Sequence, residues 1–205
     1  SYKDIEKLEK FMSGKPIAEQ DVGHALLNEM VAYAETSISR RKFLLHYFGE
    51  EFNPELDPGG NMDDNVRFPK DKIEAKDDLI ILLETVINIK EKYKAKELIK
   101  TIVGEKNAII ISHKTHLSNF FGKGNLKDSN HWMALLRQSL VSGYVKKEVE
   151  SYGVLKLTNK GREFLKSPIS FMMTSDHVYE ESEIVTIKER TNEFDKELMK
   201  LLIHF

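Results

Sequence analysis

The sequence predicts a mainly α-helical chain of the α+β class: a helical part followed by a domain that carries one short β-hairpin. Three observations predict it. Apolar residues recur at helical spacing along most of the chain. One pair of short segments, Tyr144–Val149 and Gly153–Leu157, flanks a tight turn at Glu150–Ser151–Tyr152 in the manner of a hairpin. The 205 residues are 40% apolar and 31% charged, enough chain for one or two domains with a core of their own. There is no cysteine, which excludes disulfides, thiolate nucleophiles, iron–sulfur clusters and Cys-based zinc sites. Apolar runs such as Leu79–Leu83 are too short to span a bilayer, and the charged opening Ser1–Lys10 is no signal peptide, so a soluble cytoplasmic protein is expected.

Each element has a local reason. Tyr2–Met12 puts Ile5, Leu8, Phe11 and Met12 on one helical side and stops at Gly14 and Pro16. Gln20–Ser37 repeats the pattern with Val22, Leu26, Met30 and Tyr33, and Ser39–Phe48 with Phe43, Leu44 and Tyr47 before Gly49. Glu50–Asp71 carries Pro54, Pro58, Gly59, Gly60 and Pro69 and reads as a loop, long enough to need a reason. Asp77–Tyr93 is a strongly apolar helix, and Ala95–Val103 a short one that ends at Gly104. Ala108–Ile111 is a strand candidate, and Ser112–Phe121 a helix stopped by Gly122. Asp128 is an N-cap for a helix over Ser129–Ser142, with Trp132, Leu135, Leu136 and Leu140 as its core side and Arg137 and Gln138 nearer the other side. After the hairpin, Thr158 caps a helix to Leu165, Ser170–Met173 is a strand candidate, Asp176–Glu183 an acidic loop, and Thr191–Ile203 a final amphipathic helix. Across Asp77–Thr158 the order is helix, helix, short strand, helix, helix, hairpin. That is the order of a winged helix, in which the helix before the hairpin contacts the DNA groove.

The net charge of −2 conceals an asymmetry. Ala95–Leu165 holds 12 Lys and Arg against 6 Asp and Glu, while the rest of the chain is balanced at −8. A basic stretch within an acidic protein suggests an anion-binding surface, against the plainer reading of a solvated face. The string Gly-x-x-x-x-Gly-Lys-Ser/Thr of a P-loop is absent, so no ATPase site is expected in these residues. The histidines show no metal-ligand spacing that a third residue completes.

Two segments carry a resemblance. Met30–Glu50 contains Ser39–Arg40–Arg41 leading into a helix that ends Tyr47–Phe48–Gly49–Glu50, and it resembles the start of the zinc-binding subdomain of bacterial RecQ-family DNA helicases. Asp128–Thr158, with its His131–Trp132 pair, Arg137–Gln138 and the wing, is similar to the winged helix of the same C-terminal region. The resemblance implies this organisation: 1–15 the end of a second motor domain, 16–76 a helical, zinc-free relic of the zinc subdomain, 77–167 the winged-helix DNA-binding domain, and 168–205 a linker and C-terminal helix. It implies a non-motor part of an ATP-dependent 3′→5′ helicase, with ATP and Mg²⁺ confined to motor domains outside these residues. The family's four cysteines fall on Ser39, Gly59, Met62 and Asn65 (or Val66), none of which supplies a thiolate, so zinc is expected to be absent. Asp63, Asp64 and Asn65 as turn and cap residues, with Arg40, Arg41 and Arg67 pairing to acids, are the expected substitute. A Ca²⁺ ion on Asp57, Asp63 and Asp64 is the lesser reading, against solvated turn acids.

No catalytic residue and no metal ligand is assigned. The DNA-binding residues expected are Lys114, Lys123, Lys127, Ser129, Asn130, His131, Arg137, Lys147 and Tyr152. Gly122–Lys127 brings two glycines and two lysines to a helix N-terminus, where free N–H groups suit phosphate. Tyr152 at the wing tip matches the family's strand-separating aromatic, whose stacking on a base is worth about 1–3 kcal/mol. The expected partner is duplex or forked DNA, held without sequence preference by a cytoplasmic, nucleoid-associated protein, with no membrane partner. A winged helix that docks partner proteins as an adaptor is the alternative, and a transcription factor a weaker third, since it leaves the leading helices and the long loop without a role.

Overall fold

The computed structural model describes residues 2–50, 53, 63–148 and 153–177, which fall into two units, 2–31 with His177 and 32–176. The first unit contains α1 (Tyr2–Met12) and most of α2 (Ile17–Glu35), whose last four residues count with the second unit. The turn between them is tied by Ser13 Oγ donating to the Lys10 carbonyl. Gly23 faces Met12: a Cβ there would lie 2.2 Å from the Met12 sulfur.

The second unit begins at the end of α2 and runs through α3 (Arg40–Tyr47), α4 (Asp64–Arg67), β1 (Lys72–Glu74), α5 (Lys76–Asn88), α6 (Ala95–Val103), α7 (Ala108–Ser112), a 3-10 turn (Thr115–Leu117), α8 (Ser129–Val141), β2 (Val145–Glu148), β3 (Val154–Leu157), α9 (Asn159–Lys166) and β4 (Met172–Thr174). Its core is the packing of α5, α6 and α8, where Leu79, Leu82, Leu83, Leu98, Ile102, Trp132, Leu135 and Leu136 are almost wholly buried. Burying a leucine-sized side chain contributes about 1.5–3 kcal/mol, so this apolar seam anchors the helices. The hairpin pairs Val145 with Leu157 and Lys147 with Leu155; it closes one side of the core through Val145, Leu155 and Leu157, and Leu155 N–H donates to the Tyr93 carbonyl. The main-chain folds sharply between α8 and β2 at Gly143, whose φ of +75° is the left-handed conformation a glycine enters without a Cβ penalty. The mainly α architecture with one hairpin wing is the fold class expected.

The caps form where the sequence places them. Asp128 Oδ1 accepts the His131 N–H, and Thr158 Oγ1 accepts the Gly161 N–H. Three expectations are corrected, and one strand is added where none was expected. Ala108–Ile111 is helical: Asn107 Oδ1 accepts the Ile110 N–H and starts α7, so Ile110 points inward while Ile109 and Ile111 are exposed. Ser112–Phe121 does not continue as a helix. Lys114 adopts φ 57°, and Thr115 is drawn into a hydroxyl contact of 2.5 Å with Tyr93, so a 3-10 turn replaces it. Within Glu50–Asp71, Asp63 caps the short helix α4. Lys72–Glu74 is a strand, antiparallel to β4, with Ile73 opposite Met173; neither segment is long enough to announce itself without the other. The turn Glu150–Tyr152 and the helix expected over Thr191–Ile203 lie outside the described residues.

Candidate nucleic-acid interface

Helix α8 presents its N-terminal turn outward while its body is sunk in the core. Trp132 is 1% exposed, and its indole N–H donates to the Gly124 carbonyl at 2.9 Å. Gly124 N–H in turn donates to the Ile102 carbonyl at 2.8 Å. A Cβ on Gly124 would lie 2.3 Å from the Trp132 ring and 2.4 Å from Ile102. The glycine of this loop is therefore required by the tryptophan behind it, a reason the sequence alone did not reveal.

The expected DNA-binding residues divide into groups. Lys127 and His131 meet on one carboxylate: both contact Asp78 Oδ2 of α5, His131 Nε2 at 2.9 Å. Lys123 lies 3.8 Å from Glu84, with both side chains about half exposed. Asp78 and Glu84 are the acids that sequence reasoning missed; their place one helix away gives no local signal. Ser129 and Asn130 are exposed on the first turn beside them. The cap carboxylate of Asp128 already occupies the His131 N–H, so the free donors of this turn lie N-terminal to it.

Arg137 stands apart. Its guanidinium binds Asp176 at 2.5 Å and Glu35 at 3.0 Å, and only 14% of the side chain is exposed. Burial pushes the Asp176 carboxyl up, and the Arg137 charge partly pulls it back. Gln138 is buried and exchanges hydrogen bonds with the Thr174 main chain, its Nε2 donating to the Thr174 carbonyl and its Oε1 accepting the Thr174 N–H. The expectation that Arg137 and Gln138 lie nearer the side away from the core is thus corrected: Gln138 ties β4 to α8, and Arg137 ties the end of α2 and Asp176, just past β4, to it. His113 stacks on Tyr93 at 5.6 Å, past the end of α7, so it and Lys114 do not begin a helix. Lys114 is exposed on that separate segment. Lys147 is exposed on β2, and Tyr152 lies outside the described residues.

A second polar cluster ties α3 to α4. Ser39 caps α3 by accepting the Lys42 N–H and donates to Asp63 Oδ2 at 2.7 Å. Arg40 grips Asp64 with two hydrogen bonds of 2.6 and 2.9 Å, and the guanidinium holds the Asp64 carboxyl below the usual carboxylate range. Asn65 is 6% exposed, and its amide donates to the Thr36 and Ile38 carbonyls, both at 2.8 Å.

Comparison with known proteins places these features. The RQC domain family matches residues 69–182, and the RecQ zinc-binding family matches residues 2–61. The chain is 26% identical over 203 residues to the ATP-dependent DNA helicase RecQ of Haemophilus influenzae, covering 97% of this chain and 32% of that protein. It is 27% identical over 174 residues to the RecQ of Pasteurella multocida, covering 83% and 27%. A putative ATP-dependent RNA helicase, R290, of Acanthamoeba polyphaga mimivirus is 28% identical over 151 residues, covering 67% and 27%. The chain thus spans 27–32% of the length of the curated relatives it matches. The zinc that the second family's name implies does not fit these residues. A tetrahedral zinc site needs Cys or His at most corners, whereas Ser39 and Asn65 are committed to protein hydrogen bonds, Val66, the alternative to Asn65, has no donor atom in its side chain, and Gly59 and Met62, outside the described residues, offer no thiolate or imidazole. Among the described residues no cluster of three His, Asp or Glu stands ready for a metal ion. With the wing hairpin, the capped helix before it and a family match over more than half its length, the chain belongs to the RQC domain family, as a C-terminal segment of the RecQ type.

Proposed function

We propose that this chain is the duplex- and fork-binding, non-motor portion of a RecQ-like 3′→5′ DNA helicase, serving DNA repair, recombination and replication at the nucleoid. The observation that carries the reading is the outward N-terminal turn of α8, where Lys127 and His131 are held side by side by Asp78 and Ser129 and Asn130 are exposed. Such a turn offers charge and hydrogen-bond donors to phosphate without reading bases. The exposed apolar residues Leu8, Phe11, Val22, Leu26 and Met30 on α1 and α2 suit a part that packs against the rest of a longer polypeptide. ATP hydrolysis would belong to that remainder. The reading also takes the α3–α4 cluster as a zinc-free clip.

Fluorescence anisotropy with a forked duplex tests it. Four to six phosphate contacts give a log–log salt slope of roughly −4 to −5. Replacing both Lys123 and Lys127 by Ala should weaken binding at low salt and flatten the slope by about two. An unchanged slope removes the loop from the interface. The absence of any binding at about 50 mM salt favours the adaptor reading, in which the winged helix docks a protein.

Asp78 supplies a sharper test. In Asp78→Asn the local negative charge is lost while a hydrogen-bond acceptor remains for Lys127 and His131. Fork affinity is expected to rise about three- to tenfold, or roughly 1 kcal/mol, because the two cations no longer share a carboxylate. A fall in affinity would show instead that Asp78 positions the pair for phosphate.

A further inference from the structure

At the opposite, C-terminal end of α8 lies a cavity of about 400 Å³, bounded also by the start of α3, by residues 65–72 and by β4. Three lysines line it, Lys42, Lys70 and Lys72, and among the described residues no aspartate or glutamate does. Of the acids nearby, Asp63 is engaged with Ser39, Asp64 with Arg40, Glu74 with Ser170 and Asp176 with Arg137, while Asp71, between Lys70 and Lys72 in the chain, is exposed. Lys70 donates to the Ser175 and Asp176 carbonyls, and Lys160 to the Ser142 carbonyl, where it covers the negative end of α8. Lys42 and Lys72 have no carboxylate partner among the described residues.

Cations gathered around one cavity repel one another unless an anion joins them. Burial, and after it the Lys160 and Lys72 charges, lowers the Lys42 ammonium below the usual lysine range. The walls offer apolar surface as well, from Val141 and Met172. We propose that this cavity is an anion site that takes a phosphate group, with Lys42 and Lys72 as its charge-bearing ligands. Its volume exceeds that of a lone phosphate and admits a nucleotide-sized group. The phosphate comes either from a nucleic-acid backbone or from a free phosphate compound; the recognising chemistry is the same. The site does not depend on DNA contact at the other end of α8.

Backbone-amide NMR of the 205-residue chain reads the site directly. Pyrophosphate is the first probe and a forked DNA the second. Pyrophosphate at up to about 10 mM should shift the amides of Ser39, Lys42 and Met172 in a saturable way. The pair Lys42→Met and Lys72→Met keeps the apolar stems and should weaken that binding at least about tenfold, since charge-assisted bonds to phosphate are lost. Should the Lys42 variant unfold, Lys72→Met alone, at an exposed position, still has to weaken binding several-fold. If forked DNA shifts the same amides and pyrophosphate displaces it from them, the phosphate is a backbone phosphate. If only pyrophosphate shifts them, the site takes a free phosphate compound. If neither probe moves these amides, or the methionine variants bind unchanged, the proposal is overturned.

Discussion

Alanine at Gly124 is expected to destabilise the second unit by about 2–3 kcal/mol, although it adds one methyl group. The added carbon would sit 2.3 Å from Trp132 Cζ2 and 2.4 Å from Ile102 Cγ2, and neither neighbour has room to yield. Trp132 and Ile102 are both essentially unexposed, and the loop is pinned on either side by Gly124 N–H to Ile102 and by Trp132 Nε1–H to the Gly124 carbonyl. Moving the loop to relieve the clash breaks both hydrogen bonds and leaves a buried indole N–H without an acceptor. Trp132 is the chain's one tryptophan, so urea unfolding followed by its fluorescence reports this environment. Gly14→Ala is the control: nothing lies within 4 Å of its added carbon, and its stability should stay within about 0.5 kcal/mol. An unfolding midpoint for Gly124→Ala equal to that of Gly14→Ala would show that the loop does not pack as described.

Asn65→Ala should cost about 2–4 kcal/mol, and a metal chelator should cost nothing. The amide of Asn65 satisfies two carbonyls, Thr36 and Ile38, inside the junction of α2 and α3. Removing it strands both acceptors, each at a desolvation cost of about 1–3 kcal/mol, part of which water recovers. The Arg40–Asp64 fork is more exposed and should matter less, about 0.5–1 kcal/mol. Its contribution has a pH signature. Because the Arg40 hydrogen bond lowers the Asp64 carboxyl, the stabilisation is complete above the ordinary aspartate value and is lost as pH falls through the lowered one. Among the described residues the clip joins residues 36–40 to residues 63–65 by hydrogen bonds and the Arg40–Asp64 ion pair, in the two stretches where the resemblance puts the zinc positions Ser39 and Asn65 (or Val66). Thermal unfolding with and without about 1 mM EDTA should therefore superimpose, since no binding energy is removed from the folded state. A chelator-induced drop, or stoichiometric zinc in the purified chain, would sink the clip as the sole fastening.

Much of the winged helix is written locally. The Asp128 and Thr158 caps, the apolar side of Trp132, Leu135, Leu136 and Leu140, and the alternation of the hairpin each depend on residues within a few positions of one another. The same locality explains the errors. Ala108–Ile111 is as apolar as a strand, and what makes it a helix is a single cap at Asn107 and a core contact at Ile110. The pairing of β1 with β4 brings together residues 98 or more apart in sequence, and three-residue strands carry too little pattern to be read singly.

A resemblance in two segments pointed to the family; residue type and spacing determined the core helices, their caps and the wing, because caps and amphipathic faces are set by neighbours one or two turns away. They also determined that a cysteine-free chain could not rebuild a thiolate zinc site. Only the tertiary structure decided which charges are available. Asp78 lies 49 residues from Lys127 and 53 from His131, while Glu35 lies 102 from Arg137, and nothing at either end of such a pair marks the other. Electrostatic partnership depends on distance in space, which chain order does not encode. For that reason helix α8 was legible in the sequence, whereas the acids on Lys127, His131 and Arg137, and the lysine cavity at the far end of α8, were not.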